Sequence, residues 1–261
     1  MRGLQFLGCT IFLAATLHAA PAAKPISFRV MTYNIHHGEG IDNRIDLPRI
    51  AALIKREKAD IVALQEVDKG VTRTSGRDLT AELAKLTGFT GVFSNNFHYQ
   101  GGEYGNAILT RFPVLEQINT HYKMLHTNEQ RGVLQLVLEV RGKKVLFLCT
   151  HIDYHPEEEE RLLNVSELKS LLMGREKMPM IVCGDFNCVP ESQTHAKMKE
   201  FLSDSWELVG RGPGLTIPTA KPNIRIDYIW VNKDLVQPNK LWVPKTIASD
   251  HLPVVGEFNL R

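Results

Sequence analysis

A chain of 261 residues with 43% apolar and 23% charged side chains can bury a full hydrophobic core, which excludes disorder and collagen-like repeats. Its 31 basic residues against 29 acidic ones leave a formal charge of +2. That balance argues against a protein that grips long nucleic acid mainly through charge.

Residues 1–23 carry one charge, Arg2, then an apolar run over 4–17 and a small-residue tail, AAPAA. This is the order of a secretory signal peptide, and the run is short for a bilayer span. Cleavage near 20–23 is expected, with the mature protein secreted or periplasmic. Cys9 has too little chain before it for a lipidation signal. The later cysteines, Cys149, Cys183 and Cys188, sit in or beside apolar segments, and an odd number cannot pair fully, so no disulfide framework is expected.

After the leader, β-branched runs and amphipathic stretches follow each other irregularly. Residues 27–34 (SFRVMTYN) are predicted as a strand, 47–58 as a helix, 61–66 (IVALQE) as a strand and 79–87 as a helix. Strands follow at 105–110 (GNAILT), 133–140 and 144–151 (KVLFLCTH), then a helix at 157–175. A strand at 180–185 (MIVCGD), a helix at 192–202 and strands at 225–231 (RIDYIWV) and 252–258 complete the series. No linker or repeat interrupts them, so one domain is expected over 24–261. Hairpin-like stretches over 105–140 do not suit a strict parallel alternation; two mixed sheets packed together with helices outside suit the order better. The acidic residues 157–160 after Pro156 match a helix N-terminus, where the dipole favours negative charge.

Several strands end on a polar side chain, and strand ends present side chains at a sheet edge where a cleft can form. Asn34 ends MTYN, Glu66 ends IVALQE, His151 ends KVLFLCTH, and Asp185 and Asn187 lie in GDFN. Asp227 is inside RIDYIWV, and Asp250 and His251 lie in SDH before the last strand. Each alone has a bland reading as a turn residue or a satisfied histidine. A carboxylate after a buried run, however, must be solvated, paired or metal-bound, because an isolated buried charge is too costly. Together these residues are hard oxygen donors plus imidazoles, suited to Mg²⁺ and poor in the sulfur of a structural zinc site. An ion held by one or two carboxylates, with its other positions left to water and phosphate oxygens, serves phosphoryl-transfer chemistry.

The ordered set TYN, LQE, GNAILTR, TH, GDFN, RIDYIW and SDH resembles the endonuclease/exonuclease/phosphatase superfamily, with its deoxyribonuclease I-like fold, over essentially the whole chain after the leader. The resemblance implies an α/β (α+β) four-layer sandwich, two packed mixed β-sheets flanked by helices, with the site at one edge. It implies a metal-dependent hydrolase acting on phosphoric ester bonds, with Mg²⁺ as cofactor and Mn²⁺ or Ca²⁺ as alternatives. By position, Glu66 is the principal metal ligand, with Asn34 beside it and Asp250 as a second contributor. Asp185 and Asn187 orient the attacking water and the scissile phosphate. Asp227 hydrogen-bonds His251, fixing its tautomer and raising its basicity, and His151 contacts a phosphate oxygen or helps the leaving group. Either Asp185 or His251 takes the water's proton.

The partner of His151 is open between Glu103, one residue out of register, and Tyr104 as a substrate-side residue in its place. Arg131, in EQRGVL, is either a phosphate contact or a surface edge arginine. His36, Glu39 and Asp42 belong to a glycine-containing loop that is solvated or reaches the site. His98, His121, His126, His155 and His195 show no partner pattern. Trp206, Trp230 and Trp242 form a lipid-facing or base-stacking rim, or belong to the core. The expected substrate is a phosphodiester in nucleic acid or in a phospholipid head group, hydrolysed by in-line attack of an activated water. The alternatives are an inositol or sugar phosphate monoesterase and, from another class, a non-catalytic binding module on the same fold. No obligate protein partner is inferred, and a monomer is expected.

Overall fold

Apolar side chains alternating with period two build two six-stranded sheets, seen here in a computed structural model that describes Gly3 and residues 26–126 and 129–261. The predicted leader, Gly3 apart, and its cleavage site lie outside the described residues. In chain order the elements are β1 (Ile26–Asn34), α1 (Leu47–Glu57), β2 (Ile61–Lys69), α2 (Leu79–Thr87), β3 (Thr90–Tyr99) and β4 (Gly102–Thr110). Then come β5 (Val114–His121), β6 (Gly132–Val140), β7 (Lys143–His151), α3 (Glu159–Leu172), β8 (Met180–Asp185) and α4 (Gln193–Met198). The chain closes with β9 (Ser203–Asp204), α5 (Ser205–Val209), β10 (Asp227–Val231), β11 (Val236–Trp242) and β12 (Val254–Leu260). One sheet has the order β11-β12-β1-β2-β4-β3 and the other β5-β6-β7-β8-β10-β9. Both are mixed: β1 runs parallel to β2 and β7 parallel to β8, among antiparallel neighbours.

The alternation sorts each strand into two faces. Phe28 and Val30 of β1 and Ile61 and Ala63 of β2 pack against Leu134, Leu136, Phe147, Cys149, Ile181 and Cys183 of the second sheet. On the outer face of the first sheet, Met31, Tyr33, Val62 and Leu64 meet Ile50 and Ile54 of α1 and Leu79 and Leu83 of α2. On the outer face of the second, Leu146, Leu148, Val182 and Trp230 meet Val165, Leu168 and Leu172 of α3. The result is helix, sheet, sheet, helix: the four-layer sandwich that the resemblance implied. Cys149, Cys183 and Cys188 are buried free thiols.

Local chemistry sets the helix ends. Asp46 caps α1 by accepting from Arg49 N at 2.9 Å, Pro48 occupies its first turn, and Lys58 ends it in the left-handed region. Helix α3 begins at Glu159 rather than 157 because the Arg161 guanidinium binds the carbonyls of His155 and Pro156 and holds them in a turn. The acidic run is structural: Glu158 accepts from Thr194 N at 2.7 Å and Thr194 Oγ1 at 2.6 Å, tying α3 to α4. Among the described residues, no helix is long and apolar enough to cross a membrane.

Candidate active site

The face that builds the intersheet core also builds the site. On β7, β8 and β10 the core positions Cys149, Cys183 and Ile229 are followed, two residues towards one edge, by His151, Asp185 and Asp227. Register sets these three side by side, with Asp185 opposite His151 on one flank and opposite Asp227 on the other. On β1 the same parity runs from Val30 through Thr32 to Asn34. Four polar groups therefore stand where the apolar filling stops, two residues beyond it.

Glu66 reaches the same place by breaking the alternation. Strict period two would put it with Val62 and Leu64, under the helices. The β2–β4 ladder shifts register between Leu64 and Val67, and Glu66 takes φ 60°, so the extra residue turns its carboxylate towards the intersheet edge. A non-glycine residue in that conformation costs about 1–3 kcal/mol, and the surrounding sheet must hold it there.

Asn34 then links the two sheets. Its Nδ2 donates to Glu66 Oε1 at 2.8 Å and to Asp185 Oδ2 at 3.0 Å, while its Oδ1 accepts from His36 N at 3.1 Å. As placed, its amide orients both carboxylates. Asp185 Oδ2 is also 3.6 Å from His151 Nε2 and 3.7 Å from His251 Nε2. Asn187, with φ 44°, donates its backbone N–H to Asp185 Oδ1 at 2.9 Å and its Nδ2 to Ile152 O at 3.1 Å.

The two histidines have opposite charge states. His251 is held by Asp227, whose Oδ2 is 3.0 Å from Nδ1. Burial opposes its charge, yet Asp227, with Asp185 and Asp250, raises it to about 10. His251 is thus an imidazolium at neutral pH. His151 is fully buried, and burial, reinforced by the Arg131 and His251 cations, holds it well below its ordinary value. Arg131 Nη1 lies 3.0 Å from His151 Nδ1 and Asn187 Nδ2 lies 3.1 Å from its Nε2, so two groups that can only donate face a ring that accepts on one nitrogen when neutral. His151 is a neutral imidazole beside Asp185. Asp185 itself is pushed up to about 7, by burial first and by Asp227 next.

Several open assignments resolve. Glu103 pairs with Lys69 at 3.3 Å, on the face away from His151, whereas Tyr104 is buried and lines the site cavity. The group at His151 Nδ1 is Arg131, which is buried rather than a surface edge residue; its Nη2 meets Glu129 Oε2 at 3.0 Å. Asp250 stands on the rim: its half-exposed carboxylate accepts from Ser249 Oγ at 3.2 Å and lies 4.0 Å from His36 Nδ1. Donor atoms of His36 and His37 group with Glu66. The tryptophans do not form the rim. Trp230 is buried in the α3-side core, Trp206 packs on the intersheet core, and Trp242 Nε1 donates to Glu57 Oε2. His195 is structural as well: its Nε2 meets Asp204 Oδ2 at 3.1 Å, and Arg225 occupies the same oxygen at 2.6 Å.

The cavity over the site measures about 340 Å3 and is walled by residues that no sequence pattern marked, notably Arg73, Phe97, Tyr99 and Tyr154. Arg73 is gripped by buried Asp68 through two 2.8 Å bonds and lies over the Tyr99 and Tyr104 rings, at 4.9 and 5.5 Å. Arg73 follows β2 within a turn too short for periodicity to mark it.

A family model described as Endonuclease/Exonuclease/phosphatase family matches residues 31–251. The chain belongs to that family. Its members are generally hydrolases acting on phosphoester bonds. It is 28% identical over 251 residues to the uncharacterized protein YbhP of Escherichia coli (strain K12), covering 90% of this chain and 97% of YbhP. The crystal structure of an endonuclease/exonuclease/phosphatase from Beutenbergia cavernae DSM 12333 superposes with a TM-score of 0.76 at 25% identity, over 90% of this chain and 72% of that one. A mannosyl-6-phosphatase of Bacteroides thetaiotaomicron VPI-5482 shares the fold, with a TM-score of 0.73 at 20% identity, over 88% of this chain and 99% of that one.

The family is divalent-metal dependent, and the donor set fits such an ion. Glu66 forms no ion pair among the described residues, and its only hydrogen bond there comes from the neutral Asn34 amide, so its carboxylate has no direct cationic partner at the cavity wall. The Asp185, Asp227 and His251 group, by contrast, already carries its own cation.

Proposed function

We propose that the chain is a divalent-metal-dependent phosphodiesterase acting on a nucleotide-bearing phosphodiester by in-line attack of water. The observation that carries this reading is the Asn34 amide, which holds Glu66 and Asp185 in one cluster across the two sheets. When bound at Glu66, a divalent ion neutralises phosphate charge and acidifies water. The chain's own groups do the rest. Asp185, near 7, is matched to accept the water's proton at neutral pH, and Asn187 fixes its carboxylate from the far side. His251, already an imidazolium, donates to an oxygen of the phosphate rather than serving as base. Neutral His151 adds a polar contact beside them, and Arg131 supplies a cation next to it.

Substrate choice follows from the walls. Phe97, Tyr99 and Tyr154 offer ring faces on which a base stacks, and the cavity of about 340 Å3 suits one nucleotide at an end better than a length of duplex. With no tryptophan on the rim, a phospholipid head group is the weaker candidate. Export through residues 1–23 would place the activity outside the cytoplasm, and the intact mass of the mature protein tests that.

The decisive panel sets dinucleotides, RNA, plasmid DNA, sphingomyelin, inositol phosphates and a bis-aryl phosphodiester against the protein with Mg²⁺, Mn²⁺ or EDTA. Metal-dependent cleavage of the nucleotide diesters is expected, with loss in Glu66→Gln and His251→Ala. Turnover of none of these esters, or equal rates in the wild type and both variants, would refute the reading.

A further inference from the structure

The loop after β1 brings two imidazoles to the carboxylate that the bulge in β2 re-aims. One donor atom from each of His36, His37 and Glu66 lies within 4.8 Å of the others. Bonds of about 2 Å from one ion to three ligands place those ligands within roughly 4 Å of each other, so a small inward movement closes the set. His36 lines the cavity beside Glu66, and the two imidazole rings stand 4.4 Å apart at 67°, edge to face.

His37 supplies the second observation. It is 7% exposed, and its Nδ1 has no hydrogen-bond partner. Its Nε2 lies 3.4 Å from Glu39 Oε2. A carboxylate at one ring nitrogen holds the hydrogen there and leaves a bare lone pair on the other, the arrangement usual behind a metal-bound histidine. A buried, unsatisfied imidazole nitrogen needs a partner, and no side chain provides one.

We propose that His36, His37 and Glu66 together form a nitrogen-containing metal site, which makes the ion of this enzyme a borderline transition metal rather than Mg²⁺. Two imidazoles and one carboxylate suit Zn²⁺ or another borderline divalent ion and leave positions open for water and a phosphate oxygen, whereas Mg²⁺ prefers oxygen alone and keeps its waters. The site rests on the reading of Glu66 as the metal carboxylate and adds two ligands to it. Asn34 and Asp185 stay where they are, outside the triad.

The test uses Mn²⁺ as the probe on the full chain, without substrate. Pulsed EPR of the wild type is expected to show ¹⁴N couplings from imidazole, and calorimetry to show Mn²⁺ bound at least ten times more tightly than Mg²⁺. The His36→Asn/His37→Asn double variant, in which Asn tolerates the left-handed φ of 44° at both positions, is expected to lose the couplings and bring the two affinities within about threefold. His251→Gln is expected to keep both, which guards against a double variant that fails to fold. Absence of ¹⁴N coupling in the wild type overturns the site, as does its survival in a folded double variant or its loss in His251→Gln. None of these readouts needs turnover. A chain that binds Mn²⁺ through nitrogen yet cleaves no ester would sink the proposed function and leave the site standing.

Discussion

Replacing Asp227 by Asn removes the negative charge 3.0 Å from His251 Nδ1 while keeping an isosteric side chain in a buried position. Burial alone drives an imidazole below its ordinary 6.5, and Asp227 is the main influence that carries His251 up to about 10. Asp185 and Asp250 also favour the imidazolium and remain in the variant. A fall of at least two pH units is expected, roughly 3 kcal/mol of proton affinity. The measurement is an NMR titration of the imidazole, assigned by its disappearance in His251→Gln. Stability provides a second, independent reading. Because the folded-state value lies above 6.5, the pair's contribution is complete below pH 6.5 and is lost as pH rises towards 10. Denaturant titrations across that window should show a downward slope in the wild type and a flatter one in Asp227→Asn. A titration midpoint within half a unit of the wild type, or an unchanged slope, would show that Asp227 does not set the charge of His251.

Asp185 has the same sign for a different reason: its buried carboxyl is raised from 3.8 to about 7, so the metal-free protein should lose stability as pH climbs through that interval. Thermal melts in EDTA check this, and Asp185→Asn should remove that part of the slope. Asn34→Ala deletes the amide shared by Glu66 and Asp185 and is expected to weaken metal binding or turnover about 10–100-fold, measured by calorimetry and initial rates. Arg131→Gln removes a cation that depresses His151, so the His151 titration should move upward, with KM rising more than kcat falls. Gly184→Ala would drive a Cβ into Thr150 O between β7 and β8, and a loss of about 1–3 kcal/mol is expected in urea denaturation.

The interior of each sheet was legible in the sequence because buried strands are continuous apolar runs. The four strands that escaped, β3, β5, β9 and β11, are the four sheet edges. β5 is exposed along most of its length, β9 is two residues long, and β11 carries Pro238 and a register shift, so none has an apolar run to read. The site divides in the same way. His151, Asp185 and Asp227 follow from strand ends and ordinary parity. Glu66 lies on the wrong face by parity, and only the bulge explains how it arrives. His37, Arg73 and Tyr154 come from loops, where a residue's neighbours depend on the whole fold and no periodicity records them.

Because Asn34 grows from one sheet and Asp185 from the other, the distance between them is a property of the seam. That seam holds Ala63, Cys149 and Cys183 among larger apolar side chains, and it is crossed by Gln65 Nε2 to Cys149 Sγ at 3.2 Å and Asn106 Nδ2 to Gly132 O at 3.0 Å. Neither sheet holds the catalytic group alone. Enlarging Ala63 would wedge the layers apart and separate Asn34 from Asp185 without touching either, so activity reports how the two halves are seated.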